Sequence, residues 1–311
     1  MKPETTEVGL LRCPVYEKQS LKHTIDQLCS SLSFSIRPGD TVLLKPNLIT
    51  AFRADGLACT HPEFIAAVAE WCLDQSAKVI IGDSPAFGTA TGVMRAVDTD
   101  EVLKGLPVTI QDFKCGRKVR LAGGVVVSLA EQVLDCDVLI NLPKVKAHSQ
   151  LLVTLAVKNF FGAVVGMRKA WYHVRYGDRT ENFAGLLVDL LAILPGGISL
   201  ADGIVAMHGD GPVQGRPYPL HVVAGSLNPV ALETALMDVL GLEHGENPLW
   251  LECARRKLAG TGPSGLVYPF LAPDSVRAED FQVPVELKPI SFNPLRMAIS
   301  AMKRTVALYG K

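Results

Sequence analysis

The sequence predicts an α/β fold: a mostly parallel, doubly wound (Rossmann-like) sheet with helices on both faces, followed by a C-terminal extension. Short apolar runs rich in β-branched residues alternate with amphipathic stretches through the first two thirds of the chain, which is typical of strands connected by helices. Most of these runs are continuously apolar, as expected for strands covered on both faces. With 48% apolar residues among 311, the chain is long enough to bury a large core.

The strands are predicted at the apolar runs and the helices at the amphipathic stretches between them. The predicted strands are Val8–Val15, Thr41–Leu44, Lys78–Ile81, Val108–Gln111, Val138–Asn141, Ile198–Ala201 and Leu220–Ala224. The predicted helices are Ser20–Ser31, His61–Leu73, Leu151–Val164, Asn182–Leu194 and Pro229–Leu240. Thr60 is expected to cap the second of these helices, with Pro62 in its first turn.

The composition changes after residue 242, where prolines become frequent. We therefore predict an α/β domain over residues 1–242 and a C-terminal extension over residues 243–311 that packs on this core. Within the extension, we expect a short strand at Val283–Leu287. A helix is expected at Pro294–Leu308, and its apolar side favours packing on the core over binding to a membrane surface or a partner.

The overall composition argues against several classes of protein. The chain has 31 basic and 31 acidic residues, so neither nucleic acid nor a membrane is the expected partner. Residues 1–7 contain no apolar signal-peptide core, and no window reaches the roughly 18 apolar residues of a membrane helix, which predicts a cytoplasmic protein. The 7 cysteines include no C-x-x-C pair, which predicts no disulfide framework, no zinc ribbon and no iron–sulfur cluster within the chain.

Polar and charged residues follow four of the predicted strands. In open α/β sheets, ligands bind outside the carboxyl ends of the strands, so these positions are the first candidates for a site. They are Lys45, Asn47, Asp83, Ser84, Lys144, Lys146, His148 and Asp202. Pro46, Pro85 and Pro143 stiffen the same turns, which favours side chains held in fixed places.

The segment 138–177 is strongly basic and contains no Asp or Glu. Its basic residues are Lys144, Lys146, His148, Lys158, Arg168, Lys169, His173 and Arg175. Such a cluster repels itself unless acidic groups from elsewhere, such as Asp83 and Asp202, or a bound anion neutralise it. We favour a phosphate or carboxylate anion near the N-terminus of the helix predicted at 151–164.

A glycine-rich loop follows the strand that leads into Asp202. It contains His208, Gly209 and Gly211, and its glycines would let a ligand approach the backbone closely. Its spacing fits neither the dinucleotide-binding pattern nor the Walker A pattern, which argues against a nucleotide loop. A turn without a chemical role is equally compatible with these residues.

Two other kinds of chemistry are open for the strand-end residues. A buried Lys144 or Lys146 beside other cations would have a lowered pKa and would serve as a base or form a Schiff base. His148 and His173, together with His61, Asp83 or Asp202, have side chains that suit a metal ion. Their spacing matches no compact metal motif, and we therefore predict no metal site.

Several segments occur in an order that carries a further signal. They are Lys45–Asn47, Thr60–Glu63, Gly82–Pro85, Asn141–His148, Leu155–Gly162, Asp202–Met207 and Asn228–Leu232. Together they resemble the DUF362 family over residues 40–242, and the resemblance implies an α/β core without implying a reaction. Many proteins that look like this carry a ferredoxin-like segment with two cysteine-rich 4Fe–4S motifs. This chain has no C-x-x-C-x-x-C run, so the resemblance does not imply an iron–sulfur cluster within it.

These observations lead to one functional hypothesis and one alternative. The hypothesis is an enzyme that binds an anionic, phosphorylated or carboxylated small molecule, with Lys146, His148 and Asp83 as catalytic residues. Its ligand-binding residues would be Lys45, Asn47, Ser84, Lys144, Lys158, Asn159, His173, Asp202, His208, Gly209 and Gly211. The alternative is a non-catalytic accessory protein, or a partner of a redox protein, that has lost the iron–sulfur segment of the family. Both hypotheses are compatible with a homo-oligomer.

Overall fold

The computed structural model describes residues 6–50, 56–166, 180–262 and 265–287, and it confirms the predicted α/β class. Within these ranges, a 9-stranded, mostly parallel sheet forms the centre of the molecule. Two 2-stranded sheets lie beside it. Helices cover both faces of the central sheet, as the doubly wound pattern predicted.

The strands and helices have the following bounds. The strands are β1 Thr6–Glu7, β2 Gly9–Arg12, β3 Thr41–Pro46, β4 Lys78–Asp83, β5 Val108–Asp112, β6 Gly116–Arg120, β7 Val126–Ala130, β8 Val138–Leu142, β9 Lys144–His148, β10 Leu152–Thr154, β11 Gly197–His208, β12 Arg216–Ser226 and β13 Leu266–Val267. The α-helices are α1 Lys18–Ser31, α2 Pro62–Asp74, α3 Ala90–Ala96, α4 Thr99–Val102, α5 Glu131–Asp135, α6 Ala156–Asn159, α7 Thr180–Leu191, α8 Pro229–Val239 and α9 Pro248–Arg255. Short 3-10 helices are Phe160–Ala163, His244–Glu246 and Pro273–Val276. In the part of the chain that the structure describes, no helix has the length and apolar character needed to span a membrane.

The parallel strands of the central sheet bring their carboxyl ends to one edge. The order is β10-β9-β11-β8-β3-β4-β5, with β12 and β2 attached beside β11. The first part of β11 and β8, β3, β4 and β5 are parallel neighbours. By contrast, β12 pairs antiparallel with both β11 and β2. We call the edge that carries Pro46, Asp83 and Leu142 the carboxyl edge.

Alternate residues of the parallel strands pack on opposite faces of the sheet. In β3, Val42 and Leu44 belong to the apolar cluster that contains Phe64 of α2. Leu43, between them, belongs to the cluster that contains Phe183 of α7. Because both faces are covered, these strands need apolar residues at every position, and this requirement produces the continuous apolar runs of the sequence.

Three helices begin with a polar cap followed directly by proline. The side chains of His61, Asn228 and Asn247 accept backbone N–H groups at the starts of α2, α8 and α9. The predicted cap of α2, Thr60, is therefore one residue too early. The Thr60 hydroxyl instead donates to the Leu142 carbonyl at 2.7 Å, which ties the entry of α2 to the end of β8.

The chain continues as a strand beyond the end of β8, where the sequence predicted a turn. Pro143 has no N–H for a sheet partner, and the chain resumes as β9, which pairs with the second part of β11. Side chains alternate along a strand, so Lys144, Lys146 and His148 lie on one face of β9. The residues between them lie in an apolar cluster on the other face.

Two other predicted elements differ from the structure. The helix predicted at Leu151–Val164 is divided into β10, α6 and the 3-10 helix Phe160–Ala163, because the first residues pair with β9 in a hairpin. Residues Val283–Leu287 form no strand, and Pro284 among them has no N–H to donate to a neighbouring strand. The helix predicted at Pro294–Leu308 lies outside the described residues.

The described part of the region after residue 242 contacts the α/β core at several places. β13 pairs in parallel with β1. Leu249 and Cys253 of α9 share an apolar cluster with Phe183 of α7. Val276 shares a cluster with Leu236 of α8. These contacts place α9 and the 3-10 helix Pro273–Val276 against helices that cover the sheet.

Candidate functional site

Two buried ion pairs lie near the carboxyl edge of the sheet. The Nζ of Lys45 in β3 lies 2.9 Å from Oδ1 of Asp83, the last residue of β4. The Nζ of Lys144 in β9 lies 2.8 Å from Oδ2 of Asp202 in β11. No side chain of the four is more than 4% exposed. Acidic groups from other strands therefore neutralise these two lysines.

Lys146 differs from these lysines because no carboxylate of the described residues lies within ion-pair distance of it. Its Nζ donates to Oδ1 of Asn47 at 2.6 Å and to the carbonyl of Ala58 at 2.5 Å, and the residue is 1% exposed. A protonated amine has three N–H bonds, and these two acceptors use two of them. When Lys146 is protonated, this group of lysines and aspartates retains one positive charge.

Burial changes the pKa values of the lysines. Burial lowers the pKa of Lys146 to about 8, and the positive charges of Lys144 and Lys45 act in the same direction. Burial also lowers the pKa of Lys45, although the Asp83 carboxylate opposes this change. About half of the Lys146 amines are therefore uncharged at a pH near 8, whereas an ordinary lysine is almost fully protonated there.

Asn159, at the end of α6, connects Lys45 with Lys146. Its Oδ1 accepts from Nζ of Lys45 at 3.4 Å and from Nδ2 of Asn47 at 2.7 Å. Its Nδ2 donates to Oδ1 of Asn141 at 2.8 Å and to the Lys45 carbonyl at 3.2 Å. Asn47 in turn accepts from Lys146. Because each amide oxygen faces donors and each amide nitrogen faces acceptors, the network fixes the orientation of these side chains.

Tyr16 and His61 join the Lys144–Asp202 pair, and the predicted ligand set did not include them. The Tyr16 hydroxyl donates to Oδ1 of Asp202 at 2.7 Å and accepts from Lys144 at 3.0 Å. The backbone N–H of His61 donates to Oδ2 of Asp202 at 2.9 Å. The rings of Tyr16 and His61 stack with their centroids 3.6 Å apart. The sequence signal for Tyr16 was its place directly after the predicted strand Val8–Val15.

Both aromatic residues are uncharged at neutral pH. Burial raises the pKa of Tyr16, and the neighbouring Asp202 carboxylate adds to this effect. Burial lowers the pKa of His61 to about 4, so its imidazole stays neutral. The Lys144–Asp202 pair therefore contacts a neutral phenol and a neutral imidazole rather than further charges.

His148 lies on the same face of β9 as Lys146. Its Nδ1 accepts backbone N–H groups of Gln150 at 3.1 Å and Leu151 at 3.3 Å, which places the proton of the neutral ring on Nε2. His148 was also considered as a metal ligand together with His61. Within the described ranges, no group of three or more His, Cys, Asp or Glu residues is arranged to hold a metal ion.

Two further predicted residues lie at the border of the site. The backbone N–H of Ser84 donates to the Gly162 carbonyl at 3.1 Å. The Nζ of Lys158 lies 4.8 Å from the ring centre of Phe161, in the apolar cluster on the α7 face of the sheet. His173 lies outside the described residues.

The glycine-rich loop packs on the far end of β9. The ring of His208 lies 5.9 Å from that of Phe281, and the Gly209 N–H donates to the Gln282 carbonyl at 2.8 Å. Gly211 approaches the Ala147 carbonyl so closely that a Cβ would overlap it. The structure thus gives Gly211 a packing contact that requires glycine.

The 3-10 helix Phe160–Ala163 covers the Lys45–Asp83 pair. A Cβ at Gly162 would lie well inside van der Waals contact with Oδ1 of Asp83 and with Nζ of Lys45. Only glycine therefore lets the backbone come this close to the ion pair. The cover helps to explain why Lys45 is 0% exposed.

The side chain of Glu233 in α8 forms a hydrogen bond with the backbone at the beginning of α6. Its Oε2 accepts the N–H of Val157 at 3.0 Å, and its Oε1 has no hydrogen-bond partner among the described residues. Burial raises the pKa of Glu233 to about 8, so the carboxyl group keeps its proton at neutral pH. Because α6 ends at Asn159, this contact supports the residue that connects Lys45 with Lys146.

Glu233 is expected to make the protein less stable as the pH rises towards 8. In the unfolded chain this group loses its proton near pH 4.5, but in the folded chain it does so near 8, so the folded state binds more protons between these values. The resulting loss between pH 6.5 and 8 is roughly 1–2 kcal/mol. Glu233→Gln should remove this contribution in urea unfolding measured at the two pH values. The exposed control Glu246→Gln should keep the wild-type dependence, and an unchanged dependence in Glu233→Gln would contradict the assignment.

An apolar cleft of about 360 Å³ lies at the opposite edge of the sheet. Its lining includes Leu139 and Gly197, near the starts of β8 and β11, together with the half-exposed Leu227. The amino ends of the strands thus face the cleft, while Lys45 and Lys146 lie towards the carboxyl ends and are closed to solvent.

The fold and the site together define a class: a doubly wound α/β protein with a buried group of lysines, aspartates and asparagines at the carboxyl edge of its sheet. Residues 42–238 match the family described as "Domain of unknown function (DUF362)". The chain belongs to the DUF362 family, as the order of its motifs predicted.

One relative matches the chain over nearly its whole length. It is the thylakoid-associated protein sll1697 of Synechocystis sp., which is 35% identical over 302 residues. The matched region covers 95% of this chain and 93% of the relative.

Two solved structures resemble parts of the chain. One is a protein from Thermotoga maritima, with a TM-score of 0.45 and 9% identity, and the match covers 70% of this chain and 57% of that protein. The other is the lactate racemase apoprotein from Thermoanaerobacterium thermosaccharolyticum, with a TM-score of 0.47 and 10% identity, covering 76% of this chain and 58% of that protein. The chain thus spans less than three fifths of the length of either, and at these scores neither carries a conclusion about its chemistry.

Proposed function

We propose that this protein is an enzyme that binds an anionic small molecule, with a phosphate or carboxylate group, at Lys146. The observation that supports this proposal is the charge of the site. Lys45 and Lys144 face aspartates, whereas Lys146 faces only the neutral oxygens of Asn47 and Ala58. A buried charge without a counter-charge is unfavourable, and a bound anion would supply the missing negative charge.

The other residues would then have different roles from those that the sequence suggested. Lys45 and Lys144 would not bind the anion alone, because their charges are balanced, but they would add to the positive potential around Lys146. His148 is the better candidate for proton transfer, because it lies on the same strand face as Lys146. Asp83 is held by Lys45 and by the backbone N–H of Leu48.

Lys146→Met is expected to weaken anion binding by roughly 10–100-fold, because a hydrogen bond to a charged group contributes about 1.5–3 kcal/mol. Isothermal titration calorimetry of the full chain with inorganic phosphate and with oxalate would measure this effect. The matched control is Lys104→Met, whose side chain is 77% exposed in the native protein and which should bind like the wild type. Far-UV circular dichroism would confirm that both variants are folded.

Two results would contradict the proposal. The first is a wild-type protein that binds neither anion and that carries no organic or inorganic anion in native mass spectrometry after purification. The second is a folded Lys146→Met variant that binds as tightly as the wild type.

The alternative is a non-catalytic accessory protein. The observation that favours it is the closed state of the site, in which Lys45, Lys144 and Lys146 are all nearly inaccessible and hydrogen-bonded. The relative from Synechocystis sp. is also named for its association with thylakoids rather than for a reaction. If the wild type binds no anion and instead copurifies with a protein partner from its own source, this alternative is favoured.

A further inference from the structure

We infer that Lys146 forms a Schiff base with a 2-oxo acid, a small molecule whose carbonyl group stands next to a carboxylate. The inference rests on the proposed function, because it names the ligand class and the covalent step for the same site. It follows from the two hydrogen bonds of the Lys146 amine, from the charges around that amine and from the charge balance of the product.

The two acceptors of Lys146 can be satisfied by a neutral amine as well as by a protonated one. A neutral amine has two N–H bonds and one lone pair, and Asn47 and Ala58 provide two acceptors at 2.6 and 2.5 Å. The lone pair is then not used by either contact, and it is the nucleophile once a carbonyl compound reaches the amine. Lys45 and Lys144 differ, because the Nζ of each lies within 3 Å of a carboxylate oxygen.

The groups around Lys146 leave a large share of its amine unprotonated. Lys144 and Lys45 favour loss of its proton, Asp83 opposes it, and burial has the largest effect. With a pKa of about 8, Lys146 has roughly two orders of magnitude more neutral amine at pH 7.5 than an ordinary lysine. Only the neutral form is a nucleophile.

The covalent step balances without an oxidant or reductant. Nζ of Lys146 forms a bond to the carbonyl carbon, and the carbonyl oxygen takes both amine protons and leaves as water. The resulting imine takes up one proton from the solvent and becomes an iminium ion with a single N–H. That N–H has either the Asn47 amide oxygen or the Ala58 carbonyl within reach, so the product keeps one of the two original contacts.

The charge of the product selects the ligand class. The iminium ion carries one positive charge, and Lys45 and Lys144 are already balanced by Asp83 and Asp202. A ligand with one carboxylate makes the buried group neutral, whereas an uncharged aldehyde or ketone leaves a positive charge without a counter-charge. A 2-oxo acid brings the required carbonyl and carboxylate in one molecule.

The test is reductive trapping on the full chain. The protein is incubated at pH 7.5 with glyoxylate or pyruvate and sodium cyanoborohydride, and the adduct is located by intact mass and peptide mapping. We expect a single adduct on Lys146, favoured over exposed lysines such as Lys104 by up to roughly 100-fold, which is the ratio of their neutral fractions at this pH. The rate should rise as the pH is raised through 8, because more of the amine becomes neutral.

The wild type separates this inference from the proposed function, because oxalate has no ketone or aldehyde group and binds without forming an imine. Lys146→Arg and Lys146→Met cannot form an imine, so both should lose the adduct, and Lys146→Met should also bind oxalate more weakly. Peptide mapping of the wild type gives the answer even if a variant fails to fold.

Several outcomes would overturn the inference. If the wild type binds oxalate but shows no adduct on Lys146 with either probe, the Schiff base is refuted and the proposed function stands. If neither binding nor an adduct is found, both are refuted. Labelling of Lys104 at the same rate as Lys146 would also refute the inference, because the site would then confer no selectivity.

Discussion

Replacing Lys45 with Met is expected to destabilise the protein by about 3–5 kcal/mol, the usual consequence of removing one partner of a buried ion pair. Asp83 would remain buried at 3% exposure, with the Leu48 N–H as its remaining close donor. The Pro46 carbonyl would also lose its donor. Urea unfolding followed by circular dichroism would measure the change in the free energy of unfolding.

The matched control for this prediction is an exposed ion pair. Lys104 lies 3.4 Å from Glu101, and both side chains are more than two thirds exposed, so Lys104→Met should change the stability by at most about 1 kcal/mol. The double variant Lys45→Met with Asp83→Asn should be more stable than Lys45→Met alone, because it no longer buries a lone carboxylate. A loss below about 1 kcal/mol for Lys45→Met would show that the ion pair is not formed as described.

Gly162→Ala is expected to destabilise the protein by about 3 kcal/mol, at the upper end of the effects of overpacking. The added methyl group would collide with Nζ of Lys45 and Oδ1 of Asp83. These are side-chain ends, but burial and the ion pair leave them no alternative position. Either the 3-10 helix Phe160–Ala163 must lift or the ion pair must open, and both raise the energy of the folded state.

Gly245→Ala is the matched control for this substitution. Gly245 also lies in a 3-10 helix, but a Cβ there meets no heavy atom of the described residues within 4 Å. We expect its free energy of unfolding to stay within about 0.5 kcal/mol of the wild type. If Gly162→Ala behaves in the same way, the 3-10 helix does not cover the ion pair. Comparison of Gly162→Ala with Lys45→Met in a double-mutant cycle should show strong non-additivity, because both act on the same contact.

The parallel strands could be predicted because their environment is uniform. β3, β4 and β8 are covered on both faces, so nearly every position is apolar and the pattern is visible without knowledge of their neighbours. β9 was missed for the opposite reason. Its residues Lys144, Lys146 and His148 are polar, and they are buried only because other polar groups surround them. From its pattern of polar residues alone, such a segment is predicted to be a loop.

The candidate site, like the fold, could be predicted only in part from the sequence. The rule that ligands bind outside the carboxyl ends of strands predicted Lys45, Asp83, Lys144 and Asp202 as candidate residues, and the structure joins these four in two buried ion pairs. Which carboxylate faces which lysine was not predictable, because that choice depends on the register of β3 against β4 and of β9 against β11. Lys146 has no carboxylate of the described residues within ion-pair distance for the same reason, because the strand pairing places Asp83 beside Lys45 and Asp202 beside Lys144.

The sequence by itself determined the α/β class, the family and the strand ends that carry the charges, because these depend on local periodicity and on the order of short motifs. Only the tertiary structure decided that Lys45 and Lys144 are neutralised, that Lys146 is not, and that Tyr16 and His61 join the site. The physical reason is that charge balance and burial are properties of groups brought together from distant parts of the chain.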